Sequence, residues 1–354
     1  MIDRALKIGI HPDRTGQESY SDKWAEEITR LGHQPCLINL LSEKSFSSID
    51  QFDGFMWRWI HNPQDKQSAK RILYAIEKYH HIPVFPNHNT AWHYDEKISQ
   101  YYLLKSLNAP IPNTWIFWSC QEAMDWIHSD ARFPVVFKLS SGAASANVIY
   151  INNAAEAEIL IRKMFGPGMF PYSVNEFRNR LAPQKSIESY IKHMKAGILY
   201  GLKGIYPPLP EYWWKPEHGY AYFQEFLPGN DFDTRVTIIG NRGFAFRRRN
   251  RQGDFRASGS GLIDYAVEEI DKRCLQIAFD ISKRAGFQSM AYDFLEKDGQ
   301  QVVVEISYTF ADSAVANCPG YWTPEMEWVP VSMYPERAQV EDFIQYILDR
   351  SGHS

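Results

Sequence analysis

The sequence predicts a chain of α/β and α+β class, in which a small parallel-sheet α/β domain precedes lobes built on antiparallel strands. Three observations predict it. Over residues 1–95, strand-like and helix-like segments alternate as βαβ units do. From Asp95 onward, strand pairs follow one another across small-residue or Asp-Gly turns, which favours antiparallel pairing. The chain has 354 residues, 44% of them hydrophobic, enough to bury a core shared between two or three lobes.

In the first region "LKIGI" (6–10), "PCLINL" (35–40), "FDGFMWRW" (52–59) and "IPVFPN" (82–87) read as strands. Helical periodicity fills 19–32 and 65–79 between them. The region 96–165 opens with the helix-like "KISQYYLLKSL", turns through a proline-punctuated strand, and continues with "FPVVFKLS" and "NVIYI" around the loop "SGAASA". "NAAEAEILIRKMFG" then reads as a helix. Residues 166–220 are rich in proline, aromatic and basic residues with weak periodicity, and read as an insertion, a candidate lid or substrate segment. Regular strands resume over 221–354, with a helix expected at 265–285 that Gly286 caps. A last helix over 336–350 carries Val340, Phe343, Ile344, Ile347 and Leu348 on one stripe and should pack back on the body.

A formal charge of −4 gives no global attraction to nucleic acid or to an anionic membrane, so neither is expected as a partner. The four cysteines are scattered without a CxxC pair, which predicts reduced thiols rather than a disulfide framework or structural zinc. The stretch "MIDRALKIGI" places charges where a signal peptide needs apolar residues. No apolar run approaches the roughly 20 residues that span a bilayer. These features predict a cytoplasmic protein.

The chemistry is concentrated in "AYDFLEKDGQQVVVEIS", residues 291–307, where each of two apolar runs carries one acid, Asp293 and Glu305. A three-residue loop at 298–300 sets Lys297 opposite Gln301 and Asp293 opposite Glu305. A two-residue loop shifts the register and sends the acids to opposite faces. Paired carboxylates repel unless a proton or cation lies between them, and Mg²⁺ shared with substrate phosphates suits that place. Surface acids matched by lysine or arginine are the bland alternative.

Upstream, Lys138 ends an apolar strand before a Gly/Ser/Ala loop whose backbone could approach phosphate oxygens. In "FAFRRRNRQGDFR", strand alternation separates Arg248 from Arg247, Arg249 and Arg251. This run reads as a nucleic-acid patch, as an exposed edge strand, or as a strand that aims Arg248 and Arg256 into a site of phosphates and metal-binding acids. The acids downstream make the third the most economical, since an inward arginine needs a partner.

Together these residues resemble the ATP-grasp superfamily, most closely the RimK-like carboxylate–amine ligases. "DEKISQYYLLKSLNAPIPNT" is similar to the family's helix, with Lys97 on its first ATP lysine, and "PVVFKL" places Lys138 on the second. "FQEFL" is similar to the interdomain hinge, so the resemblance implies that Glu225, Phe226 and Leu227 hold adenine. It implies Ser141 and Gly142 at the phosphate loop and Asp233 and Arg235 in a D-x-R motif, with Asp231 the other candidate for ribose. Arg248 and Arg256 fall on the family's two arginines, and Asp293 and Glu305 on its metal positions. Residues 95–165 and 221–310 carry the match, while the first 95 agree in architecture alone.

Three departures stand out: Ser307 replaces the usual metal asparagine, Ser145 and Asn147 take glycine-like loop positions, and the 166–220 excursion is long. Asn147 tolerates the left-handed conformation such a position needs. The ending "EISYTF…GYW" is similar to ATP-grasp proteins of surface-polysaccharide pathways. The resemblance thus implies a ligase using ATP and Mg²⁺, with Mn²⁺ as substitute, that joins a small-molecule carboxylate and an amine through an acyl phosphate. A sugar carboxylate or an amino acid is the expected acceptor class, and a homodimer the candidate assembly. His11, Arg14 and Arg58, at the strand ends of the first domain, are candidate substrate contacts. A nucleotide-binding module without ligase chemistry and a phosphotransferase are the competing readings.

Overall fold

The computed structural model describes residues 4–13, 19–61, 63–142, 147–171, 215–250 and 261–351. Strands β1 (Lys7–His11), β2 (Gln34–Leu37), β3 (Gly54–Trp57) and β4 (Val84–Phe85) form the expected parallel sheet, ordered β2-β1-β3-β4. The connections carry helices α1 (Tyr20–Arg30), α2 (Glu43–Phe46), α3 (Pro63–Tyr79) and, after β4, α4 (His88–Ala91). Ser19 caps α1 by accepting from the Asp22 N–H, and α1 buries Tyr20, Trp24 and Ile28 on one face of the sheet. Helix α3 buries Ala69, Leu73 and Ile76 on the other face. Covered on both sides, β3 is buried along its whole length, as parallel strands usually are.

A second, antiparallel sheet follows helix α5 (Lys97–Ser106). Its strands are β5 (Thr114–Phe117), β6 (Val135–Lys138), β7 (Val148–Ile151) and β8 (Ala221–Glu225), ordered β5-β8-β6-β7. Although β8 comes after residues 166–220 in sequence, it is an inner strand of this sheet. Helices α6 (Cys120–Ser129) and α7 (Ala154–Met164) back it through Ala123, Trp126, Ile127, Ala157, Ile161 and Met164. The sequence reading assigned no element to α6. Its signals were Ser119, which accepts from the Glu122 N–H, and the apolar spacing Ala123, Trp126, Ile127.

The third sheet holds β9 (Phe232–Ile239), β10 (Arg242–Arg249), β11 (Ile263–Asp264), β12 (Ser289–Lys297), β13 (Gln300–Ser307), β14 (Tyr321–Trp322) and β15 (Trp328–Val329). Its order is β13-β12-β9-β10-β14-β15, with β11 also paired to β10. Helix α8 (Lys272–Ala285) buries Cys274, Leu275, Ala278 and Ile281 against it. That helix starts later than expected, because Val267–Glu269 form a separate 3₁₀ turn and Asp271 caps the helix by accepting from the Arg273 N–H. Gly286 ends it in the left-handed conformation at φ 70°, as predicted.

After the short helix α9 (Asp312–Ala316) the chain ends in α10 (Pro335–Ser351). Val340, Phe343, Ile344 and Ile347 of α10 pack with Ile8, Ile10, Met56 and Phe85 of the first sheet. The approach is close enough that a Cβ on Gly54 would meet Ile347 at 2.8 Å and Phe343 at 2.9 Å. The excursion over 166–220 is described only at its ends, where Met169 and Glu217 exchange two backbone hydrogen bonds of 2.9 Å. Among the described residues no helix is long and apolar enough to cross a membrane.

Candidate nucleotide and metal site

Period-two alternation puts Asp233 and Arg235 of β9, Arg248 of β10, Asp293 of β12 and Glu305 of β13 on one face of the third sheet. Asp293 lies opposite Glu305 as expected, but by a different route. Lys297 pairs with Gln300 around a two-residue turn, Asp298 (φ 51°) and Gly299 (φ 76°), the positive angles a type I′ hairpin needs. The three-residue loop is therefore wrong. A β-bulge between Asp293 and Phe294 moves the register by one residue and restores the pairing.

Arg235 grips Asp293 with Nε and Nη2 at 2.6 and 2.7 Å, and Arg248 grips Asp233 at 2.7 and 2.5 Å. Arg248 also reaches Asp293 at 2.8 Å, so one guanidinium joins two buried acids. Burial raises Asp293, but the charges of Arg235 and Arg248 outweigh it and hold the carboxyl below the usual range. Burial, then the charge of Asp293, pushes Asp233 up to about 6 against the pull of Arg248. On the opposite face Arg247 pairs with Asp264 and Glu269, and Arg249 with Asp264. Among the described residues Arg248 is thus separated from Arg247 and Arg249 as predicted, and those two are matched by acids, while Arg251 lies outside the described residues.

The other lobes bring the lysines. Lys97, at the start of α5, is buried; its Nζ donates to the Gly142 carbonyl at 2.6 Å and lies 3.5 Å from Glu305. Lys138, at the end of β6, donates to Gln224 Oε1 at 2.6 Å. Desolvation lowers Lys138 to about 8, although Glu305 acts to raise it. Asn147 adopts φ 64°, the left-handed conformation expected of it, and donates to the Ser141 carbonyl at 3.0 Å.

The start of the phosphate loop corrects one expectation. Ser141 and Gly142 were expected to present backbone N–H groups to phosphate, but both groups are already occupied. The Ser141 N–H donates to Glu217 at 3.2 Å and the Gly142 N–H to Asp95 at 2.8 Å. Asp95 lies near His61 (3.1 Å) and Lys66 (3.2 Å), and the hydrogen bond to His61 and the charge of Lys66 hold its carboxyl low despite burial. A cavity of about 320 Å³ opens here, lined by His61, Lys66, Asp95, Ser141, Lys215 and Glu217 among others. The sequence reading singled out none of His61, Lys66, Asp95 or Glu217. Asp95 alone carried a signal, since it takes a positive φ of 55° and aspartate is among the few residues that tolerate one.

The hinge expected over Glu225, Phe226 and Leu227 follows β8 and leads toward β9. Glu225 accepts from Lys297 Nζ at 2.6 Å and from the Asn113 N–H at 3.1 Å, Phe226 packs edge-on to Tyr150, and Leu227 is buried. Asp233 is committed to Arg248, whereas Asp231 is exposed. His11 and Arg58 lie at the C-terminal ends of β1 and β3. His11 is buried, stacked on Trp57, with Nδ1 accepting from the Leu40 N–H at 3.1 Å. Arg58 lies over the Tyr20 ring, 3.9 Å from Asp13. Arg14 and Arg256 lie outside the described residues.

Among the described residues no group of three or more His, Cys, Asp or Glu side chains could enclose a metal. Asp293 and Glu305 lie opposite each other, but both Asp293 oxygens are held by Arg235 and one also by Arg248, so Mg²⁺ there would share that carboxylate with two guanidiniums. The Ser307 hydroxyl donates to the Thr309 carbonyl at 2.8 Å, so that turn already engages the predicted third ligand.

By sequence, no family model and no curated protein matches the chain. Solved structures match by fold. A RimK domain protein ATP-grasp from Sphaerobacter thermophilus aligns with TM-score 0.55 at 14% identity, covering 96% of this chain and 99% of that one. N5-carboxyaminoimidazole ribonucleotide synthetase from Thermotoga maritima aligns with TM-score 0.56 at 14% identity, over 97% of this chain and 76% of that one. D-alanine–D-alanine ligase from Bacillus anthracis gives 0.53 at 12%, over 98% and 100%. The fold of this chain is the ATP-grasp fold. Ligases and synthetases are among the proteins that share it.

Proposed function

We propose that the protein is an ATP-dependent ligase that joins a carboxylate to an amine through an acyl phosphate. The observation that carries this reading is Lys97. Its one ammonium group lies between the phosphate-loop carbonyl of Gly142 and Glu305 of the acid pair, so it links a phosphate loop to a metal-type carboxylate across two lobes.

In this reading ATP lies between the second and third sheets, with adenine at Glu225–Leu227 and ribose at Asp231. Asp293 and Glu305 are the residues that would hold Mg²⁺. Bound there, the metal would offset the charge of the nucleotide phosphates. Lys97 and Lys138 add positive charge on the phosphate side, and Arg248 supplies a buried cation fixed by Asp233 and Asp293. This matters because the attacking carboxylate and the nucleotide are both anions. A carboxylate oxygen of the acceptor bonds to the γ-phosphorus as the bond to the β-γ bridging oxygen breaks, releasing ADP. The amine nitrogen then bonds to the acyl carbon, phosphate leaves, and the amine gives up a proton. No covalent bond to the protein is required. The acceptor class is a sugar carboxylate or an amino acid. Structures of D-alanine–D-alanine ligase, a protein of the same fold, have been solved with ATP.

Two measurements test this. ADP with Mg²⁺ at about 100 times Kd should stabilise the wild type by about 2.7 kcal/mol, a rise of about 3–4 °C for a chain of this size. The rise should need Mg²⁺ and vanish in Glu305→Gln. With an acceptor carboxylate present, hydroxylamine should trap a hydroxamate. Phosphate transfer without a hydroxamate would point to a phosphotransferase, and no shift at millimolar nucleotide would end the ligase reading.

A further inference from the structure

We infer that Glu217 is a positioning residue for the nucleotide phosphates, acting through the first turn of the phosphate loop; the inference deepens the ligase reading and rests on it. Glu217 lies at the foot of the 166–220 excursion, 76 residues after Ser141 of the loop that it touches. Its backbone is pinned. It exchanges two hydrogen bonds of 2.9 Å with Met169, and two residues on the Gly219 N–H donates to the Met164 carbonyl at 2.8 Å. Gly168, at φ 79°, allows the approach, since a Cβ there would meet the Glu217 carbonyl at 2.6 Å.

From this anchored base the Glu217 carboxylate reaches the loop. It accepts from the Ser140 N–H at 2.9 Å, from the Ser141 N–H at 3.2 Å and from the Ser141 hydroxyl. The Tyr220 hydroxyl donates to the same carboxylate and accepts from the Ser140 N–H at 2.7 Å. The Ser140 carbonyl accepts from the Lys97 N–H at 2.8 Å, so the same turn meets the start of α5. One carboxylate therefore fixes the turn between Lys138 and the rest of the loop. It also turns two N–H groups away from the nucleotide and toward protein. Where this turn sits decides where Lys138 and the following backbone meet phosphate. Bonds from anchored backbone N–H groups to a carboxylate are charge-assisted and directional, which suits that task. Adenine and ribose, at the hinge, do not depend on it.

The experiment is calorimetric titration of the full chain with adenosine, ADP and ATP in the presence of Mg²⁺. Glu217→Gln removes the charge and half of the acceptors. It should weaken ADP and ATP by about tenfold while adenosine stays within about twofold, so the preference for ADP over adenosine falls. Tyr220→Phe should move that preference in the same direction by about threefold, and it decides the matter if Glu217→Gln does not fold. An unchanged ADP-to-adenosine preference in the folded variants overturns the inference. Equal weakening of adenosine and ADP, the mark of a merely structural residue, overturns it too. A wild type that binds no nucleotide overturns the ligase reading and this inference with it, whereas normal wild-type binding with an unaltered Glu217→Gln overturns this inference alone.

Discussion

Arg248 stands between two buried acids, and that arrangement sets how each can behave. A lone guanidinium beside Asp233 and Asp293 cannot satisfy both fully, so one acid rises toward 6 while the other, gripped also by Arg235, stays ionised. Lys138 has the opposite difficulty. Burial disfavours its charge, so in the folded protein it loses its proton at about 8. The folded state therefore binds fewer protons than the unfolded chain between about 8 and the ordinary lysine value near ~10.4, and stability rises with pH across that window. Phosphate binding runs the other way, because only the protonated lysine attracts it. ADP affinity measured by titration should be level below pH 8 and fall as pH rises beyond it. Lys138→Met should bind weakly at every pH, with the alkaline fall gone.

The acidic hairpin at the level of elements depends on one residue more than on its turn. Without the bulge, the two-residue Asp298-Gly299 turn would send Glu305 to the far face of β13. Deleting Val304, unlike forcing it to pair, should leave Glu305 opposite Asp293 in a regular ladder, so the Mg²⁺-dependent part of the ADP thermal shift should survive in a sheet that circular dichroism reports as folded. Alternation in the sequence was enough to place Arg248 inward, and Gly286 and Asn147 announced their backbone conformations. The bulge was not legible, since Val304 is an ordinary β-branched residue and nothing in its type marks an unpaired position. Helix α6 was legible from its capping box and was overlooked. Glu217 was not, because a carboxylate reaching from an irregular segment to a loop some 75 residues earlier leaves no periodic trace. His11, a polar ring at a strand end, is engaged within the protein, stacked on Trp57 and accepting from the Leu40 N–H, and no sequence pattern announced those contacts.

For the whole molecule, the cores do not follow the order of the chain. The first sheet shares one core with α10 and another with α8 and the third sheet, so the first and last parts of the sequence are packed as one body. Phe343, buried between Gly54 and Phe85, is a sensitive point of that union. Phe343→Ala should cost about 3–5 kcal/mol in urea-induced unfolding, and the loss should be felt by probes in both the first and third sheets. Loss confined to one of them would show that they unfold independently.

The docking of α10 on the first sheet also has a consequence during synthesis. Strands β1 to β4 leave the ribosome well before α10, so the side chains that cover Ile8, Ile10 and Met56 arrive only with residues 340–347. At about 5–20 residues per second, one apolar face of the nascent sheet waits on the order of tens of seconds for its partner. Until then it is a surface for chaperones, and the sheet is covered only once residues 340–347 have been made.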